Sequence, residues 1–239
     1  MSLNKHTIQH AGVPPFTDQI AERFSCRACF AMMDLFIGFD EHALAIESRD
    51  LTTFQTPLGT FHLTTLPMGW TNSVPIFHDD ITFILGPEIP EFTYPYIDDV
   101  PVCGPASRYI LPNGEFETHP ENPGIRRFVW EHFVALAHVV QCIKHAGGMF
   151  SSFKSILCSP EVTVLGHRCT IEGRLPCVKR ISVIANWGPC SNITDVCSFL
   201  GTIGVCRIFI RNFAHRAHPI SKLLRHNQPF EWGTLQVAA

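Results

Sequence analysis

Three aspartates stand where a metal-dependent reaction could use them. Asp98 and Asp99 are adjacent and lie between the apolar arms of the segment Phe92–Val102. Asp34 lies near the end of the apolar run Ala28–Phe36. Carboxylates at the ends of buried strands are unfavourable unless a cation compensates them, and Mg²⁺ takes oxygen ligands from carboxylates and substrate phosphates. The pattern favours metal-assisted phosphoryl transfer, although an isolated Asp-Asp pair is also common in exposed turns.

The elements that must position these acids alternate along the chain. Apolar periodicity and turn residues predict a buried strand over Ala28–Phe36 and a second strand over Phe61–Leu66, which a turn at Pro67–Gly69 closes. A helix is predicted over Ser73–Leu85, followed by a hairpin over Phe92–Val102 with the acids at its bend. A long helix with an apolar stripe is then predicted from Ile125 to Ile143. The segment Gly104–Gly124 is rich in Pro, Asn and Gly, which indicates a surface insertion.

The last third of the chain changes character near Pro176. Before it, short strands are expected over Ser155–Leu157, Val162–Leu165 and Arg168–Ile171. After it, helices are expected over Val178–Trp187, Thr194–Phe213 and His218–His226, with a turn at Ala214–Ala217. The sequence therefore predicts an α+β domain followed by a helical one.

Composition sets the class of protein. At 239 residues, with 46% hydrophobic and 16% charged residues, the chain can bury a core, which excludes a disordered tail. No run approaches the roughly 18 apolar residues of a membrane span, and the start lacks the layout of a secretory signal, so a soluble intracellular protein is expected. The ten cysteines are scattered, several in apolar stretches such as Cys197 and Cys206, which favours buried reduced thiols over disulfides.

Charge is unevenly distributed along the chain. The net charge is −3, although a protein that grips nucleic acid usually presents a basic face to the phosphates. Lysine and arginine become frequent from Arg168 onward, whereas the acids concentrate before Glu131. On charge alone, a solvated surface of uneven charge is the favoured interpretation, and a phosphate-binding C-terminal part is the alternative.

Several strings of residues resemble, in order, the motifs of a known family. The string YIDD at Tyr96–Asp99 resembles the YxDD box of reverse transcriptases, and Asp34–Phe39 resembles their upstream metal-binding strand motif. Their template and nucleotide segment is resembled by two strings, Thr53–Gly59 and Leu66–Ser73 (LPMGWTNS). Val164–His167 resembles their primer-grip hairpin. Four strings near the end of the chain resemble the thumb and connection of Ty3/Gypsy-type long-terminal-repeat retrotransposons: Phe199–Gly201, Arg207–Phe213, His218–Ile220 and Pro229–Trp232. The resemblance runs from Leu3 to Trp232 and covers nearly the whole chain.

The resemblance implies a fold, an activity and partners. The fold would be of the α+β class. Residues 1–175 would form a right-hand polymerase palm, which is an antiparallel sheet with packed helices, together with a remnant of the fingers. A helical thumb and connection would follow over 176–232, and a tail over 233–239. The activity would be RNA-directed DNA polymerase, with a primed RNA or DNA template and deoxynucleoside triphosphates as partners. The protein would act in a cytoplasmic virus-like particle or in the nucleus, and a membrane would not be among its partners.

The resemblance also assigns roles to individual residues. Asp34, Asp98 and Asp99 would gather two Mg²⁺ ions, with Mn²⁺ as a possible substitute. The nucleotide-binding residues would be Phe39, Met68, Gly69 and Lys154; the primer grip would be Leu165, Gly166 and His167; and Arg207 and Arg211, four apart on a predicted helix, would contact duplex phosphates.

Several of these roles have a structural alternative. Phe39 would exclude a ribose 2′-hydroxyl, or it is a core phenylalanine. Gly69 would let the nucleotide approach the backbone, or it is a turn glycine. Lys154 would assist the leaving pyrophosphate, or it is a surface lysine. Arg207 and Arg211 are also explained by an exposed helix surface.

The boundaries of the resemblance leave two further hypotheses open. It enters near the end of the fingers, so the upstream hairpin that grips the triphosphate is expected to be missing, as is a ribonuclease H domain. A polyprotein fragment is expected, and an inert remnant that only binds nucleic acid is the alternative. A zinc-binding module is a second alternative, built on Cys26 and Cys29 with Cys142 and His145, or His167 and Cys169, as the nearest candidate pairs.

Overall fold

The computed structural model describes residues 3–10, 12, 16–36, 38–225 and 229–238. Ile37 and His226, which belong to predicted elements, lie outside the described residues, and of Leu3 only the backbone is described. The strands are β1 (Phe30–Asp34), β2 (Phe54–Thr56), β3 (Gly59–Phe61), β4 (Asp99–Cys103), β5 (Thr118–His119), β6 (Asn122–Arg126), β7 (Ile156–Ser159), β8 (Glu161–Val164), β9 (His167–Thr170) and β10 (Gly173–Pro176).

The helices are α1 (Leu3–His6), α2 (Thr17–Arg23), α3 (Ile46–Arg49), α4 (Ser73–Ile84), α5 (Arg127–His145), α6 (Val178–Ala185), α7 (Ile193–Gly204), α8 (Phe213–Ser221) and α9 (Thr234–Val237). Short 3₁₀ turns occur at Gly38–Glu41, Asp50–Thr52, Gly86–Glu88, Arg207–Phe209 and Lys222–Leu224. This mixture of helices and strands confirms the predicted α+β class.

The chain divides into two compact units. Unit 1 comprises residues 1–164 and 169–173, and unit 2 comprises residues 165–168 and 174–239. Strands β8, β9 and β10 form a three-stranded sheet with the order β10-β9-β8. The palm, thumb and tail limits at 175 and 232 stay predictions.

The centre of unit 1 is an antiparallel three-stranded sheet with the order β4-β1-β7. Its middle strand β1 pairs with β4 over all five residues, from Phe30 opposite Cys103 to Asp34 opposite Asp99. β4 is buried from Val100 to Cys103, because helices cover this sheet. The register of β1 against β4 therefore fixes which residues meet at the end of the sheet.

Helix α5 supplies most of the covering layer. Its buried residues fall at helical spacing and form one stripe: Phe128, His132, Ala135, Leu136, Val139 and Ile143. The last four join β1, β4 and α4 residues in the main hydrophobic cluster of unit 1. The predicted helix is confirmed from Arg127 onward, whereas Ile125, where its stripe was expected to begin, lies in β6. The prediction also missed His132 in the stripe and included Phe133, which is 42% exposed.

Two predictions for unit 1 are wrong. The strand over Phe61–Leu66 is replaced by a β2–β3 hairpin that pairs Phe54 with Phe61, because the turn before Gly59 folds the chain back earlier. Gly59 has a φ of +126°, a region that favours glycine. The segment Gly104–Gly124 is not a bare loop: it contains β5, and Phe116 packs at 5.7 Å against Phe128 of α5.

Unit 2 is built from helices around a small core. Cys190, Val196, Ile220 and Leu223 are buried together, with Trp187, Phe199, Leu200, Phe230 and Trp232 packed against them. The predicted helix over Val178–Trp187 corresponds to α6. The turn predicted at Ala214–Ala217 is wrong, since these residues lie inside α8.

The predicted continuous helix over Thr194–Phe213 is also wrong. α7 ends at Gly204, and glycine is a poor helix former. A 3₁₀ turn follows, and Asn212 adopts a left-handed φ of 56° directly before α8. Arg207 lies in the 3₁₀ turn and Arg211 in the turn after it, so the two arginines do not share a helix face.

All ten cysteines are free thiols. Cys206 is buried as predicted, whereas Cys197 is exposed on α7 and corrects the expectation for that residue. None of the helices in the described part of the chain has the length and apolar character needed to cross a bilayer.

Candidate active site

The register of the central sheet brings the predicted acids to one edge. Asp34 is the last residue of β1 and lies opposite Asp99, the first residue of β4. Directly opposed residues in an antiparallel pair have Cα atoms about 4.5–5.5 Å apart. The amide of Leu35 donates to the carbonyl of Asp98 at 3.0 Å. The backbones of Asp34, Asp98 and Asp99 therefore meet, although 63 residues of sequence lie between Asp34 and Asp98.

A tight turn presents Asp98. The amide of Tyr96 donates to Asp99 O at 2.8 Å, and the amide of Asp99 donates to Tyr96 O at 3.1 Å, which closes the predicted hairpin. Ile97 has a φ of 57°, a region that is costly for a β-branched residue. The amide of Ile97 donates to Nδ1 of His78 at 3.4 Å. His78 is buried on α4, and burial lowers its pKa, which favours the neutral imidazole that can accept this bond.

The acids repel one another. Burial raises the pKa of Asp99, and the neighbouring charges of Asp98 and Asp34 raise it further, while Lys154 opposes them. Nζ of Lys154 donates to both carboxylate oxygens of Asp34, at 3.0 and 3.2 Å. Asp34 is 17% exposed and Lys154 67% exposed in this pair. Lys154 is therefore an electrostatic partner of Asp34 rather than an isolated surface lysine.

The donor set of this edge suits a hard divalent cation, because it consists of carboxylate oxygens. The three carboxylates are not drawn together into a tight group. Among the described residues, the three potential ligand atoms that lie within 4.8 Å of one another belong to Cys29, His132 and Cys158 instead. Asp34 is held instead by Lys154. The gathering of two ions by Asp34, Asp98 and Asp99 stays a prediction.

Phe39 lies in the 3₁₀ turn that follows β1. Its ring stacks on Phe77 of α4 with centroids 4.7 Å apart, and Phe77 is 1% exposed. A Cβ on Gly38 would lie 2.5 Å from Phe77 Cζ, so the turn packs on α4 without space for a side chain at that position. Phe39 is partly buried against the core, an arrangement that both of its interpretations share.

Met68 and Gly69 form an open turn before α4. Met68 is 81% exposed. Gly69 has a φ of +87°, and a Cβ there would meet no atom within 4 Å, so its surroundings leave the backbone accessible. Asn4 holds this turn, because its Nδ2 donates to Gly69 O at 3.0 Å and its Oδ1 accepts from the amide of Thr71 at 3.1 Å.

The predicted primer-grip residues belong to unit 2. Leu165 and Gly166 both have positive φ, at 50° and 86°, between β8 and β9, which is the pattern of a two-residue type I′ hairpin turn. A Cβ on Gly166 would lie 2.7 Å from the guanidinium nitrogens of Arg180. His167 is buried, with its ring 6.1 Å from that of Phe209.

The sequence did not indicate two of the residues that support this site. His78 follows Phe77 on a predicted helix, and no feature of the pattern separated it from a surface histidine. Asn4 lies 65 residues before Gly69, and only the folded chain brings them together. No sequence signal could have identified either contact.

The fold defines a class of protein. The foamy viral protease-reverse transcriptase in complex with double-stranded DNA matches it with a TM-score of 0.81 and 24% identity, over 98% of this chain and 38% of that chain. Its complex with an RNA/DNA hybrid matches with a TM-score of 0.76 and 24% identity, over 98% of this chain and 29% of the other. The fold is therefore that of a reverse transcriptase.

Sequence relatives are more specific. The retrovirus-related Pol polyprotein from transposon 412 of Drosophila melanogaster is 28% identical over 96% of this chain and 17% of its own length. The Gag-Pol polyprotein of baboon endogenous virus is 28% identical over 97% of this chain and 13% of its own length. No family model matches the chain.

The predicted resemblance to the reverse transcriptase region of retroelement Pol polyproteins is confirmed. The chain spans less than a fifth of the length of these two curated relatives.

Proposed function

We propose that this chain is the polymerase segment of a retroelement Pol polyprotein and adds deoxynucleotides to a primer 3′-hydroxyl on an RNA or DNA template. The observation that carries the proposal is the β1–β4 register, which sets Asp34 opposite Asp99 beside the turn that bears Asp98. Acids on separate strands that converge at the exposed end of a sheet suit a catalytic cation site better than a structural one.

The three aspartates would hold two Mg²⁺ ions, for which Mn²⁺ is a possible substitute. Ions of this kind promote attack by the primer hydroxyl and stabilise charge on the triphosphate. Lys154, which neutralises Asp34 at 3.0 Å, would be released to face the negative charge of the leaving pyrophosphate. The protein groups then act by orientation and charge compensation.

The nucleotide would bind between the open turn at Gly69 and the turn that bears Phe39. Gly69 offers an open backbone in the turn held by Asn4. Phe39, stacked on Phe77, would limit the room at the 2′ position of the sugar and so favour deoxynucleotides. The roles of Met68 at this turn and of Leu165, Gly166 and His167 as primer grip belong to the same proposal.

The template partner is proposed from the relatives. The foamy viral enzyme of the same fold is in complex with double-stranded DNA in one structure and with an RNA/DNA hybrid in another. In this chain the basic residues of unit 2, including the exposed Arg207 and Arg211, offer positive charge for phosphates.

A second candidate is a remnant that binds nucleic acid without catalysis. One feature favours it: Lys154 already pairs with both carboxylate oxygens of Asp34. This candidate shares the duplex-binding surface with the first and differs only at the acidic edge, so the two can be separated by chemistry.

Primer extension separates the two candidates. Purified chain is given a primed RNA template, deoxynucleotides and Mg²⁺, and the variants Asp34→Asn and Asp99→Asn are assayed beside it. We expect weak extension by the wild type and a further loss of up to about a thousandfold in each variant, because losing an ion's stabilisation removes several kcal/mol.

Asp50→Asn is the matched control, since Asp50 is exposed and its carboxylate pairs with His62 at the surface. It should extend as the wild type does. A folded wild type that binds the duplex but gives no extension would favour the inert remnant over the polymerase.

A further inference from the structure

A second group of potential metal ligands lies in unit 1, away from the acids. Cys29 precedes β1, His132 lies in the middle of α5, and Cys158 lies in β7. One ligand atom from each of these residues lies within 4.8 Å of the other two. In a tetrahedral zinc site, metal–ligand distances of 2.0–2.3 Å separate ligand atoms by about 3.4–3.8 Å. A small inward movement therefore suffices to close the group around an ion.

His132 is oriented as a ligand. Its side chain is 0% exposed, and Nε2 is 2.8 Å from the carbonyl oxygen of Leu157. A carbonyl can only accept, so Nε2 carries the proton and the neutral ring leaves a lone pair on Nδ1. Within the described part of the chain, that buried Nδ1 has no hydrogen-bond partner. Histidine ligands commonly donate their second nitrogen to a carbonyl in this way.

Gly104 leaves the space that the group occupies. A Cβ there would lie 2.7 Å from Sγ of Cys29 and 3.4 Å from Nδ1 of His132. The amide of Gly104 donates to Cys29 O at 2.9 Å and holds the two backbones close. An orphaned imidazole nitrogen and a buried thiol thus face the same small space.

We propose that Cys29, His132 and Cys158 form a zinc-binding site. Zinc favours thiolate and imidazole ligands, and two thiolates with a neutral imidazole balance the charge of Zn²⁺ in a buried position. Cys158 is exposed, and a cavity of about 280 Å³ borders both cysteines, so water can complete the coordination. Cys26, from the zinc module expected on sequence grounds, is not in the group.

The site would tie three elements together. Cys29 is five residues before Asp34, so a bond from its sulfur to α5 and β7 fixes the start of the strand that ends at the acidic edge. Burial and the neighbouring Cys158 raise the pKa of Cys29, whereas Arg108 lowers it.

Zinc titration of the purified, reduced chain tests the site. We expect one tightly bound Zn²⁺ per chain, a higher melting temperature with zinc, and a thiolate-to-cobalt charge-transfer band when Co²⁺ is used instead. Cys158→Ser should weaken zinc binding at least about 100-fold and remove the band. Because Cys158 is exposed, this variant should still fold.

Two controls locate the metal. Cys26→Ser should keep the zinc and the cobalt band, as should Asp34→Asn, since neither residue belongs to the group. Zinc binding that survives Cys158→Ser, or that is lost in Cys26→Ser, would overturn the proposal. A reduced wild type that binds no zinc would also overturn it.

Discussion

At the scale of residues, the acidic edge conflicts with the stability of the ion-free protein. Asp99 is crowded by burial and by Asp98 and Asp34, and Lys154 compensates only partly. The same crowding makes the edge attractive to a divalent cation, because a cation relieves all three interactions at once. Such an arrangement is expected where a site is selected for binding rather than for stability.

Asp99→Asn should therefore stabilise the ion-free fold. The pKa of Asp99 is higher in the folded than in the unfolded chain, so its contribution is fully favourable below the unfolded value of about 3.8 and is lost as pH rises through the raised value. At pH 7 without metal, the variant should be more stable by less than about 1 kcal/mol, since solvent screens this partly exposed group.

Urea unfolding in a chelating buffer at pH 7 and pH 4 measures this difference. The gain should be present at pH 7 and shrink at pH 4, and added Mg²⁺ should stabilise the wild type more than the variant. Asp50→Asn, at an exposed position, should show neither effect. Equal gains at both pH values would mean that proton linkage is not the cause.

At the scale of elements, the packing of the turn after β1 on α4 sets the position of Phe39. Gly38 opens this turn, and its missing side chain lets the ring of Phe77 lie directly beneath it. The stack of Phe39 on Phe77 depends on that contact. Interiors packed this closely respond to one added methyl group.

Gly38→Ala should destabilise the protein by about 1–3 kcal/mol, because the new Cβ would sit 2.5 Å from Phe77 Cζ and force the ring to move. If Phe39 limits access at the sugar, the displaced stack should also raise ribonucleotide incorporation relative to deoxynucleotide incorporation. Denaturant unfolding and paired extension assays measure the two effects.

Gly86→Ala is the matched control for this change. Gly86 also opens a 3₁₀ turn, but a Cβ there meets nothing within 4 Å, so stability should be unchanged or slightly raised. A Gly38→Ala variant that lost stability while its sugar selectivity stayed fixed would leave Phe39 as a core residue only.

At the scale of the whole molecule, charge separates between the two units. Unit 2 holds nine lysines and arginines against two acids, a net charge of +7, whereas unit 1 holds nine against nineteen, a net charge of −10. The overall charge of −3 therefore conceals a strongly basic unit. A unit of this charge attracts a nucleic-acid backbone even though the chain as a whole is acidic.

Binding to a duplex should accordingly depend on unit 2. Replacing Arg207 and Arg211 together by Gln should reduce the salt dependence of binding by up to about two units of slope, and lower affinity without regard to sequence. Fluorescence anisotropy over a salt series measures the slope. Lys144→Gln, on α5 of unit 1, should leave the slope unchanged. An unchanged slope in the double variant would mean that Arg207 and Arg211 do not contact the phosphates.

Local residue patterns were sufficient to predict several helices and strands. The stripe of α5, the apolar run that became β1, and the hairpin bend at Asp98 and Asp99 were all predictable, because a residue's burial follows the period of its own helix or strand. The order of the short motifs also indicated the reverse transcriptase fold. The local pattern did not predict the interruptions at Gly204 and Asn212, which divide the continuous helix expected over Thr194–Phe213.

Only the tertiary structure decided which side chains meet. The pairing of Asp34 with Asp99, the bond from Lys154 to Asp34 across 120 residues, and the group of Cys29, His132 and Cys158 all join distant segments. Strand register and helix packing set these contacts, and both depend on the summed burial of many residues rather than on any local signal. The sequence thus specified the chemical groups, and the fold specified their neighbours.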